Sequence, residues 1–135
     1  MRLYWLDLET TGLVPEFCSV LEIVLKRVVL ESPYAGDIKK NMRYLRACMR
    51  DCLLRGEAPF ASHGLYTQPG VLRDEVLEER KHGIEAGFAW RRGSDYTVVY
   101  IDLGFSDGMK YGIKHAAGIG HEVVFRKLGG EWSQT

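Results

Sequence analysis

The stretch DYTVVYIDLGFSDGMKYGIKHAAG, residues 95–118, decides the fold class. In its first half Val98, Val99, Tyr100 and Ile101 form an unbroken apolar run, as in a parallel strand buried on both faces. A turn containing Gly104 follows, and Ser106 or Asp107 stands where a helix cap belongs, ahead of GMKYGIKHAAG. Strand, turn and helix in that order make most of a βαβ unit, and HEVVFRKL (121–128) supplies the returning strand.

Working outward, the same alternation repeats. RVVLES (27–32) is apolar and β-branched, and Pro33, Gly36 and Asp37 form a turn whose aspartate can cap the next segment. In DIKKNMRYLRACMRDCLLRG (37–56) Ile38, Met42, Leu45, Met49 and Cys52 recur at helical spacing, which predicts an amphipathic helix ended by Gly56. APFASHGLY (58–66) reads as a short strand and a functional loop, and TQPGV (67–71) as a turn. VLEERKHGIEAGFAWRRG (76–93) is a second helix, with Gly83 and Gly87 one turn apart to let a neighbour come close. The result is an α/β domain over 27–135, with residues 1–26 as an extension.

Composition narrows the function classes. Lys+Arg and Asp+Glu number 18 each, so no overall positive field draws in a phosphate backbone, and nucleic acid is not the expected partner. Cys18, Cys48 and Cys52 form no paired Cys-x-x-Cys set, and Cys48 and Cys52 have no histidine beside them; the reading is free thiols in a reducing cytoplasm, with no metal and no cofactor. No run has the length of a membrane span or the form of a signal peptide, which predicts a soluble protein without a membrane partner.

In sheets of this kind ligands bind beyond the carboxyl ends of the strands. Four segments fall there: SPYAGD (32–37), ASHGLYTQ (61–68), EERKHGIEAG (78–87) and DLGFSDGM (102–109). With Asn41 downstream and the GM-x-x-GI-x-x-A helix, they resemble the nucleoside 2-deoxyribosyltransferase family, and more closely its small phage and bacterial relatives with a Ser-Pro-Tyr-Ala-Gly strand end. The resemblance implies a flavodoxin-like parallel sheet flanked by helices, a nucleoside or nucleotide ligand, and a homo-oligomer. It also implies a site: Ser32, Tyr34, Gly36 and Asp37 in the first loop, with Tyr34 stacking near the base or sugar. Asn41 belongs to the same group, His63 and Gln68 line the opposite wall, Asp102 ends the central strand, and Ser106, Asp107, Gly108 and Met109 open the helix approaching sugar or phosphate. Exposed N–H groups and the positive end of that helix suit an anion.

One departure shapes the functional reading. The transferases attack the sugar C1′ with a glutamate from this helix. The matching residue is Lys110 in one register and Tyr111 or Gly112 in the other, none of them a carboxylate. A pocket kept without its nucleophile implies binding rather than turnover: sequestration of a small nucleotide-derived molecule, one form being a phage sponge for cyclic or ADP-ribose-type immune signals. The alternative is an N-glycosidase or deoxyribosyltransferase using a displaced carboxylate, Asp107 or Glu85. His82, His115 and His121 read as surface histidines and LRDEVLEERK (72–81) as a solvated helix face, with Glu78, Glu79 and Arg80 matching a family segment.

The opening carries a competing signal. DLETTG (7–12), with Asp7 and Glu9 after an apolar run, resembles the first metal-binding motif of the DEDD exonucleases. A two-metal nuclease needs further converging carboxylates, and that family's His-x-x-x-x-Asp signature is absent: Gln68, Gly87, Gly120 and Arg126 stand five residues after the four histidines. RLYWLDLE (2–9) reads instead as an extra strand, and VPEFCSVLEIVL (14–25) as a connector or as part of a hairpin covering a sheet edge or dimer contact.

Overall fold

The computed structural model describes residues 25–130 and 132. Residues 1–24, with DLETTG and Cys18, lie outside the described residues. Four parallel strands run in the order β2-β1-β3-β4: β1 Lys26–Glu31, β2 Glu57–Phe60, β3 Tyr96–Tyr100 and β4 Val123–Arg126. Between them stand α1 Ile38–Leu54, the single-turn α2 Ser62–Leu65, α3 Leu77–Arg92 and α4 Asp107–Gly118. The fold is α/β and flavodoxin-like.

Register fixes the two faces. Leu30 pairs with Val98 and Val98 with Val124, and alternation along β1 and β3 sends Val28, Leu30, Val98 and Tyr100 to one face. There they meet Tyr44, Leu45, Cys48 and Cys52 of α1 in one buried cluster. Val29, Glu31, Thr97 and Val99 point the other way, toward α3 and α4. Thr97, Val98, Val99 and Tyr100 are all at 0% exposure, as the apolar run predicts for a central parallel strand. Pro59 sits in β2, an edge strand, where a missing N–H disrupts no interior ladder.

Asp37 caps α1, its carboxylate accepting from the Lys40 amide at 3.1 Å. The buried stripe of α1 differs from the predicted one at its start: Ile38 is 46% exposed, whereas Tyr44 and Cys48 are at 0%. Asp37, Lys40 and Asn41 at this end of α1 line a cleft, and Ile38 stays at the surface. The segment before α3 also departs from the sequence reading. Residues 71–76 are not helical, and the pairs Arg73–Glu79 (2.7 Å) and Arg80–Asp74 (3.9 Å) bridge the approach to α3 rather than its face. Cys48 and Cys52 are buried free thiols, and burial pushes both above the ordinary thiol range. Among the described residues no helix is long and apolar enough to cross a membrane.

Candidate functional site at the sheet's carboxyl edge

The chain leaves β1 toward β2 on one side and reaches β3 on the other, so the crevice between the β1 and β3 ends is the topological switch point. A cleft of about 330 Å³ opens there. Pro33, Ala35, Leu103 and Phe105 form its apolar wall, and Asp37, Lys40, Asn41 and Ser106 its polar one. Its volume is in the range of small-molecule sites, as is an apolar lining with few polar groups.

Each wall is held from behind. Asn41 donates from Nδ2 to the carbonyls of Tyr34 (2.9 Å) and Ala35 (3.0 Å), bracing the SPYAGD loop against α1. Gly36 turns that loop at φ +98°, a backbone state that side chains rarely adopt. Ser106 caps α4 by accepting from the Met109 amide at 3.2 Å, and the Met109 sulfur accepts from the Ser106 amide. Ser106, the cap of α4, and Lys40 both line the cleft, an arrangement suited to an anionic group.

Beside the cleft Ser32, 4% exposed, meets His63 across 2.8 Å between Oγ and Nε2. His63 is not in a loop; it lies on α2, which Gly87 of α3 lets approach so closely that a Cβ there would stand 2.9 Å from Ser62 Oγ. A small cavity of about 50 Å³ follows, its wall including His63, Tyr66, Glu79 and Arg80. Burial pushes the His63 imidazole down to about 4, so it is neutral at pH 7. The unfolded chain binds a proton there near pH 6.5 and the folded one does not, so this contribution is complete above pH 6.5 and is lost as pH falls toward 4. Its size is roughly 2–3 kcal/mol. Glu31 works oppositely between pH 4.5 and 7, because its carboxyl is raised in the fold. A His63→Gln variant should therefore lose less stability than wild type between pH 6.5 and 4, measured by denaturant midpoints; parallel profiles would show that His63 is not the group responsible.

A buried ion pair on the α3/α4 face of the sheet was not legible in the sequence. Glu31, the last residue of β1, pairs with Arg91 of α3, whose side chain is 2% exposed. Arg91 also donates from Nε to Thr97 Oγ1 at 3.1 Å and lies 3.0 Å from His115 Nδ1. Burial raises the Glu31 carboxyl to about 7 against the pull of the Arg91 guanidinium. Gly112 of α4 abuts this carboxylate: a Cβ built there would be 2.7 Å from Glu31 Cδ and closer still to Oε1. The available signal was a charged residue closing an apolar strand opposite a glycine on a helix's buried face.

Asp102 stands where the sequence places it, at the end of the central strand, but its carboxylate is occupied. It accepts from Tyr44 Oη (2.6 Å) and from the amides of Leu128 (2.9 Å) and Gly129 (3.0 Å). Burial works to raise its pKa, and these hydrogen bonds outweigh that and hold it below the usual range. Tyr34 is half-buried and does not line the cleft, Gln68 is exposed and bonds to the Leu65 carbonyl at 3.0 Å, and Met109 is buried at 1%. Asp107, Gly108 and Glu85 are exposed, and none of the three lines the cleft. Two histidines read as surface groups have internal partners: His115 stacks on Phe88 at 3.6 Å, and His121 bonds Thr97 Oγ1 at 3.0 Å. Both fill the polar seam between sheet and helices created by Arg91. Among the described residues no cluster of His, Cys, Asp or Glu is arranged to hold a metal ion.

With this geometry in place, the comparisons with known proteins are consistent. The family model described as a domain of unknown function, DUF7768, matches residues 26–126. The chain belongs to the DUF7768 family. No curated protein matches it. Among solved structures, a 2-deoxyribosyltransferase from the psychrotolerant bacterium Bacillus psychrosaccharolyticus is similar with a TM-score of 0.60 at 16% identity, covering 78% of this chain and 74% of that one. Likeness at that identity is one of fold, so the DUF7768 chain shares that protein's α/β architecture.

Proposed function

We propose that the chain binds a small nucleoside- or nucleotide-derived ligand in the switch-point cleft and sequesters it unchanged, in the cytoplasm and as a homo-oligomer. The observation that carries this reading is α4, which presents Lys110, Tyr111 and Gly112 where a transferase-like glutamate would stand. Lys110 and Tyr111 are exposed, and Gly112 has no side chain to offer. The cleft supports the binding half of the reading, with an apolar wall for a flat ring and Lys40 with the α4 amides for a negative group. A phage-encoded sponge for cyclic or ADP-ribose-type immune signals is one form such a binder takes.

The test is recovery of the ligand. Purified protein is incubated with nucleosides, nucleotides and ADP-ribose derivatives, washed, heat-denatured, and the supernatant is chromatographed. Intact ligand in stoichiometric amount is the expected result. A ligand at a hundred times its dissociation constant should also stabilise the fold by about 2.7 kcal/mol. Multiple-turnover release of free base would overturn sequestration in favour of an N-glycosidase or deoxyribosyltransferase, and Asp107→Ala and Glu85→Ala would then report whether either displaced carboxylate carries it.

A further inference from the structure

Phe105 stands where helix capping gives it no partner. It follows Gly104, whose φ of +80° and amide hydrogen bond to the Ile101 carbonyl at 3.0 Å close the turn after β3, and it precedes Ser106, the cap of α4. An apolar residue just before a cap commonly packs on the fourth residue of the helix, but here that residue is Lys110, which is exposed. Phe105 instead lines the cleft, with 48% of its surface exposed. Its aromatic neighbour is Phe125 of β4, 51% exposed, with ring centroids 6.2 Å apart and planes at 64°. That edge-to-face contact holds the Phe105 ring from one side and leaves a face of it open. Tyr34, the ring that the family resemblance places near the base or sugar, does not line the cleft.

We propose that Phe105 is the specificity-determining residue for the base, its open face stacking on the flat ring of the ligand, and that Phe125 is a positioning residue that holds the Phe105 ring from β4. This rests on the nucleoside-type binding proposed above. Pro33, Ala35 and Leu103 complete the apolar wall along which the ring lies. Phe125 does not line the cleft and acts through Phe105 alone. Every base has a π-face, so stacking of this kind tolerates a change of base but requires that there be one. A sugar phosphate without a base keeps the polar contacts offered by Lys40 and Ser106 and leaves the Phe105 ring in water. The cleft therefore takes base-bearing ligands and rejects their abasic counterparts.

The experiment is a titration with the 5′-monophosphates of adenosine, guanosine, cytidine and uridine and with ADP-ribose, each set beside ribose 5-phosphate, read by calorimetry and by competition. Wild type should bind its best base-bearing ligand at least about tenfold more tightly than ribose 5-phosphate. In Phe105→Ala the ratio should fall below about threefold, with the affinity for ribose 5-phosphate little changed, whereas Phe105→Tyr, which keeps a ring, should retain it. Phe125→Leu, which keeps apolar bulk on β4 and removes the ring, should narrow the ratio, and Phe125→Tyr should restore it. Both side chains are half-exposed, so these variants keep the fold, and a loss of stability alone would not move the ratio. Equal wild-type affinity for base-bearing and abasic ligands, or an unchanged ratio in Phe105→Ala, overturns the role of Phe105 alone; a Phe105→Ala protein that dissociates on light scattering with its ratio intact would make the two rings a subunit contact instead. An unchanged ratio in Phe125→Leu overturns the positioning role of Phe125. Failure of wild type to bind any nucleotide of the panel overturns the nucleoside-type reading and this proposal with it.

Discussion

Arg91→Ala should destabilise the fold by about 3–5 kcal/mol, the cost of stranding one member of a buried ion pair. For a domain of this size that lowers the melting temperature by about 10–20 °C. Arg91 is at 1% exposure and serves Glu31, Thr97 and His115 from one guanidinium, so its removal leaves a carboxylate against the α3/α4 face with nothing to balance it. Glu31 already titrates at about 7 with the guanidinium present. Without it the group escapes by taking up a proton, and the loss should be larger at pH 8 than at pH 5. Glu31→Met/Arg91→Met removes both charges together and should stay within about 2 kcal/mol of wild type. Thermal melts of the three proteins at both pH values check this. An Arg91→Ala protein within 1 kcal/mol of wild type at pH 8 would mean that Glu31 finds solvent, contrary to the packing described.

Asp102→Ala should cost about 2–4 kcal/mol and free the C-terminal segment. One carboxylate takes the Tyr44 hydroxyl and the amides of Leu128 and Gly129, and Trp132 packs edge-on against Tyr44 at 4.8 Å. Losing the carboxylate leaves a buried hydroxyl and two amides without their acceptor and loosens the aromatic contact with them. Hydrogen exchange at Leu128 and Gly129 should accelerate much more than at β1. An Asp102→Ala protein that melts like wild type and loses ligand would instead make Asp102 a direct ligand contact.

The architecture was legible because it depends on local signals that tertiary structure seldom overrides. Val98, Val99 and Tyr100 form a run too apolar for any place but the sheet's interior, and Asp37 and Ser106 mark two helix starts that the structure keeps. The site was legible in part. SPYAGD and DLGFSDGM come together at the switch point as a flavodoxin-like order requires, but the cleft wall also includes Lys40, which lies in neither segment, and its apolar side is made by Leu103 and Phe105, residues of DLGFSDGM that were not picked as ligand contacts. Asn41 and Asp102 each have structural work in the site's frame: Asn41 braces the first loop from α1, and Asp102 ties down the C-terminal segment. Side-chain direction separates a ligand contact from a brace, and direction is set by neighbours distant in sequence.

The sequence by itself determined the βα alternation, the strand that sits at the centre, the loops that meet at the carboxyl edge, and the lack of a carboxylate at Lys110, Tyr111 and Gly112 of α4. Apolar periodicity, caps and turn residues act over a few positions, so a linear reading contains them. Only the tertiary structure decided the buried ion pair of Glu31 and Arg91. Glu31, Arg91 and Gly112 are dispersed over some eighty residues and meet because a parallel sheet brings the end of β1 under α3 and α4. Burial of the pair and the partner taken by Oε1 follow from that crossing of elements. No spacing along the chain encodes it.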